Sequence, residues 1–132
     1  MNDNSSGKLA LAWLVPAVGA AIFVTIQSFS FLNAYVASGG TMQAMTFDAG
    51  ALWGVSLFYG AWVVPPLLAL ASRRATDWLM LILGSLLVIM STLAGVIDGV
   101  RDGPHLVGLE LLAVTLPGLV AHILSWRHIR SN

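Results

Sequence analysis

The chain has 132 residues, of which 58% are hydrophobic and 9% charged, with zero formal net charge and no cysteine. Soluble domains carry roughly 25% charged residues, so this composition excludes an ordinary soluble domain. The lack of a basic run argues against nucleic acid as a partner, and the lack of cysteine removes disulfides, thiolate chemistry, Fe–S clusters and cysteine-ligated zinc.

Four apolar segments, at about 9–37, 50–72, 78–97 and 105–126, account for nearly the whole chain. Each is long enough for a hydrocarbon core of about 30 Å, which takes roughly 20 apolar residues in a helix. Backbone groups in lipid must satisfy one another, so the segments are helices. The fold class expected is an all-α integral membrane protein: one transmembrane domain over residues 1–132, an antiparallel bundle of four transmembrane helices with both termini inside.

The first segment follows MNDNSSGK, with a single lysine, and outruns the apolar core of a signal peptide. With no convincing small-x-small cleavage site, it reads as a retained helix. Ser38-Gly39-Gly40 and Asp48-Ala49-Gly50 bracket the loop that follows. The second segment carries Gly50 and Gly54, then Ser56 and Gly60, at spacings that let helices approach closely. A short turn, Ser72 to Asp77, leads to the third segment, where Thr76 or Asp77 can cap the helix. Gly84, Ser91 and Gly95 share one stripe there. Asp98, Arg101 and Asp102 read as a solvated turn with local ion pairs, closed by Pro104 at the start of the fourth segment.

Lys8, Arg73, Arg74, Arg127 and Arg130 fall on one side of such a bundle and only Arg101 on the other. Basic residues near helix ends favour the cytoplasm. The expected location is therefore a bacterial-type plasma (inner) membrane, crossed four times, with both termini cytoplasmic. Trp13, Trp78 and Trp126 sit near the same ends, where interfacial indoles belong.

Glu110 is the one charged residue inside the four segments. A carboxylate in the bilayer is costly, so it is protonated, paired or functional. At 1.5 Å per residue it stands about 25 Å from the level of Arg127. Gln27, Ser56, Ser91 and Thr92 fall near the same height. These five residues form a candidate polar layer, with Glu110 either locked structurally by its neighbours or exchanging a proton or cation from the outer side. A second layer holds Pro16, Pro65 and Pro117, about 12–15 Å from the basic anchors. Each proline frees a carbonyl four residues earlier; prolines are frequent in membrane helices and can simply bend them, and the sharper alternative is a bent bundle with a cavity near the midplane lined partly by those carbonyls and Trp62.

His122 is a further candidate ligand, although its stripe with Gly108, Thr115 and Gly118 favours a packing role. Membrane b-type haem usually takes histidines from two facing helices. Here His105, His122 and His128 all lie on or beside the fourth segment, so a haem could be shared only across a subunit interface. Met42 and Met45 have a spacing compatible with Cu(I), with His105 on the same side; this is the weakest of the site readings. No phosphate loop, Ser/His/Asp arrangement or intramembrane carboxylate pair indicates an enzyme, and no cofactor is expected.

Small size, sparse polar content and several close-packing seams indicate a non-enzymatic accessory or structural subunit of a membrane complex, or a homo-oligomer. Its expected partners are the bilayer, further copies of the chain or a larger membrane protein. The alternative is a small oligomeric transporter or channel with Glu110 as its proton or cation site. A haem- or copper-handling membrane protein comes third.

Overall fold

The computed structural model describes residues 3–42, 47–71 and 73–131, and all regular structure among them is helical. Four helical stretches are long and apolar enough to cross a membrane: Ser5–Ala37, Ala49–Ala71, Arg74–Asp102 and Pro104–Ser131.

Helix α1 (Asp3–Ala37) is 35 residues long, about 52 Å at the α-helical rise. It ends where Gly39 and Gly40 turn to positive φ and the Gly40 N–H donates to the Tyr35 carbonyl at 3.1 Å. Asp48 then opens α2 (Ala49–Ala61), its carboxylate accepting from the Ala51 N–H at 2.7 Å. α2 and α3 (Val64–Ala71) are separated by a tight turn. The Trp62 and Val63 N–H groups bond back only three residues, to Tyr59 and Gly60. Pro65 and Pro66 explain the break, because neither can donate to the carbonyls of Ala61 and Trp62.

Helix α4 (Arg74–Asp102) begins earlier and ends later than the apolar run suggests. Arg73 occupies the N-terminal cap position. The Thr76 hydroxyl accepts from the Arg73 N–H at 3.1 Å and donates to the Arg73 carbonyl at 2.7 Å. Asp77 lies inside the first turn, its N–H donating to that same carbonyl at 2.9 Å. At the other end the expected solvated turn is helical, so that only Gly103, at φ 145°, stands between α4 and α5 (Pro104–Glu110). Charged residues stop a buried apolar run but do not stop a helix that has left the hydrocarbon.

A π-helical turn, Leu111–Thr115, joins α5 to α6 (Leu116–Ser131). The Leu116 N–H reaches five residues back to Leu111. Pro117 cannot donate to Ala113, and the wider turn is how the chain absorbs that missing bond. The freed Ala113 carbonyl presses against Gly19 of α1, where any β-carbon would collide with it.

The core groups Leu9, Trp13, Ala20, Trp62, Ala69, Met80, Leu87, Val88, Val114 and Ala121. Trp13 corrects the expectation of an interfacial anchor. It is fully buried, lies against the bare face of Gly84 and donates its indole N–H to the Ser125 hydroxyl at 2.9 Å. Trp78 and Trp126 do remain exposed, and meet edge to face with ring centres 5.9 Å apart. The Arg130 guanidinium sits 4.8 Å over the Trp126 ring.

The cavity expected around the proline layer is not what these residues build. Pro16, Pro65 and Trp62 are themselves buried, and bulky side chains such as Trp13 and Met80 fill the core around them. The groove at Pro117 is instead outward-facing and apolar, about 340 Å³ between the Leu11–Ile22 stretch of α1 and Leu112, Ala113 and Pro117. α3 packs against α1 and α4, whereas α2 has no buried residue at all.

Candidate functional site

The polar side chains of α4 meet those of the fourth segment along most of their common length. Asp77 lies 3.8 Å from His128. The Ser85 hydroxyl and His122 Nδ1 share a hydrogen bond at 2.6 Å. Thr92 and Thr115 join hydroxyl to hydroxyl at 2.9 Å. Further along, the bare face of Gly95 receives Glu110, and that of Gly99 receives Val107.

Glu110 is completely buried, and among the described residues neither of its carboxyl oxygens has a hydrogen-bond partner. Its fit depends on Gly95. A β-carbon there would come within 2.6 Å of the Glu110 Cγ and 2.8 Å of Oε2. Ser91, one turn from Gly95 and also buried, is the hydroxyl that stands beside the carboxyl. The backbone at Glu110 is better satisfied than its side chain. The Thr115 hydroxyl donates to the Glu110 carbonyl at 3.3 Å, across the π-helical turn. Thr92 therefore reaches Glu110 only through Thr115.

The other members of the expected layer lie elsewhere. Gln27 donates its amide to the Asp98 carboxylate at 2.9 Å, one turn beyond Gly95. Ser56 is exposed on α2, beside Ala49, Leu52 and Trp53 in a shallow outward groove, and stands apart from Glu110. Depth along a helix fixes height above the anchors but not position around the bundle.

His122 is spoken for by Ser85. His105 is exposed, with Nε2 3.3 Å from the Ser30 hydroxyl. Met42 is exposed in the loop after α1, and Met45 lies outside the described residues. Among the described residues no group of three or more His, Cys, Asp or Glu side chains could hold a metal ion.

Two residues that the sequence reading left out of the polar layer are half-buried in the structure. Tyr59, at the end of α2, is half-buried and packs against the core. Asp98 is half-buried where a loop residue was expected. Tyr59 was within reach of the same ruler, since 14 residues from Arg73 place it about 21 Å up. Counting phenolic hydroxyls alongside Ser and Thr finds it.

No family model matches this chain, and neither the curated proteins nor the solved structures contain a match.

The Ser85–His122 contact yields a direct check. Buried polar pairs between membrane helices average about 0.6 kcal/mol, with a maximum near 1.7. Ser85→Ala and His122→Ala should each destabilise the fold by about 1 kcal/mol. The double variant should cost less than the two combined, because either change alone removes the shared bond. Strict additivity in SDS-induced unfolding would mean that the bond contributes nothing.

Proposed function

We propose that this is a four-span inner-membrane protein, antiparallel with both termini cytoplasmic, that works as a non-enzymatic subunit by associating with further copies of itself. The observation that carries this reading is α2. None of its 13 residues is buried, and a β-carbon on Gly54 or Gly60 would meet nothing within 4 Å. Elsewhere in this chain most glycines inside helices receive a neighbour: Gly19 takes Ala113, Gly84 takes Trp13, Gly95 takes Glu110 and Gly118 takes Val88. Small residues at helix surfaces favour close backbone approach in lipid, and the Gly54 and Gly60 positions of α2 present such a surface with no neighbour among the described residues. The basic residues at Lys8, Arg73, Arg74, Arg127 and Arg130, against Arg101 alone, support the orientation.

Native mass spectrometry from lipid nanodiscs tests the proposal. The wild type should release oligomers, and Gly54→Leu should shift the population toward monomer while leaving the fold intact. A wild type that is monomeric throughout, in lipid and in mild detergent, removes the reading.

A second reading, a small oligomeric transporter or channel, is favoured by one specific observation: a fully buried Glu110 with two unpartnered oxygens. A purely structural carboxyl gains its stability by being bonded, and this one is not. Flux into proteoliposomes that Glu110→Gln abolishes is its test.

A further inference from the structure

We propose that the end of the bundle where α4 begins and α6 finishes is a seat for an anionic phospholipid, with Arg74 and Arg130 holding the phosphate beyond the paired indoles of Trp78 and Trp126. The seat shares no residue with α2 or with Glu110.

Helical spacing sets the two cations. Arg74 precedes Trp78 by four residues on α4, and Arg130 follows Trp126 by four on α6. Residues four apart share a helix face, about 6 Å apart along the axis. Contacts between the two helical segments pair rising numbers on α4 with falling numbers on the fourth segment, from Asp77 with His128, through Ser85 with His122, to Gly99 with Val107. Both arginines therefore lie beyond the tryptophans at the same end. The indoles bring the two faces together, their ring centres 5.9 Å apart and their planes at 88°.

The charge at this end is unanswered. Arg74 and Arg130 are exposed, as is Arg127 beside them. The one acid that α4 and α6 place here is Asp77, which is buried and lies 3.8 Å from His128. Among the described residues neither arginine has an ion-pair partner. Phosphate is the complement, because a guanidinium offers it two parallel N–H donors. Arg130 is already restrained for that role. Its guanidinium lies 4.8 Å over the Trp126 ring, a cation–π contact that orders a long side chain before any ligand arrives.

Position makes the phosphate a lipid's. Indoles favour the level of the headgroups. On the other side of the tryptophans the same two faces turn apolar: Ile82, Leu86 and Ile89 on α4, and Ile123 and Leu119 on α6, are all exposed. Acyl chains lie along those side chains while the phosphate stays with the arginines. A soluble phosphate compound gains nothing from that apolar wall.

Native mass spectrometry of the delipidated protein, titrated with single lipids, tests this. Wild type should bind phosphatidylglycerol at least several-fold more tightly than phosphatidylcholine. Arg74→Gln/Arg130→Gln should weaken phosphatidylglycerol binding by about tenfold or more, since each basic side chain near an anionic lipid surface contributes a factor of about five. Lys8→Gln/Arg101→Gln removes the same charge elsewhere and should leave binding unchanged. Trp126→Leu keeps every charge and should still weaken binding, because Arg130 loses the ring that holds it. Equal wild-type affinity for the two lipids overturns the proposal. So does an equal loss in the two double variants, which would mean attraction by total charge alone. Displacement of the lipid by millimolar inorganic phosphate would make this a site for a soluble anion and overturns the lipid assignment.

Discussion

Gly19→Val should destabilise the bundle by about 3 kcal/mol, the upper end of what overpacking costs. The reason is the identity of the atom that Gly19 faces. A β-carbon there would strike the Ala113 carbonyl, which is backbone and cannot turn aside. That carbonyl lies where it does because Pro117 leaves it without an α-helical donor, and the π-helical turn Leu111–Thr115 swings the local backbone. Valine puts a branched side chain against that backbone oxygen, where neither partner can give way. Gly54→Val is the internal control. It adds the same group where nothing lies within 4 Å, and monomer stability should be unchanged. SDS-titration unfolding followed by circular dichroism separates the two. Equal stabilities would mean that α1 and the fourth segment do not approach at Gly19.

The second large effect is expected at Trp13. Trp13→Ala should cost about 3–5 kcal/mol, as for other buried tryptophans. The indole lies on Gly84 and reaches Ser125, so one side chain ties α1 to both α4 and α6. Trp13→Phe keeps most of the packing and loses the bond, for about 1 kcal/mol. Ser125→Ala should match it, because it leaves the buried indole N–H without an acceptor. A Trp13→Ala protein as stable as wild type would place the tryptophan at the lipid interface instead.

Apolar runs made the four helices legible, because their lengths are set by a bilayer and little else. The stripe Gly84, Ser91, Gly95 was legible too, and all three residues are buried. So was the singularity of Glu110. Lateral position was not. Ser56 is exposed on α2, in a shallow groove with Ala49, Leu52 and Trp53, which a ruler along the helix axis cannot foresee. Gly19 gave no signal because its role depends on a carbonyl released almost a hundred residues later by Pro117. Asp98 and Arg101 read as loop because charge marks the end of a hydrocarbon crossing, and helix α4 continues past that end.

The single residue between α4 and α5 bears on how the chain is made. With only Gly103 intervening, the last two helices form a hairpin whose arms pack side by side. A carboxylate alone in an inserting helix carries a cost that is largest at the bilayer centre and falls toward its faces. In the hairpin the Glu110 carboxyl lies against Gly95. Lengthening this connection would separate the arms during synthesis and present Glu110 to lipid unsheltered, so the one-residue turn guards the membrane entry of the buried acid.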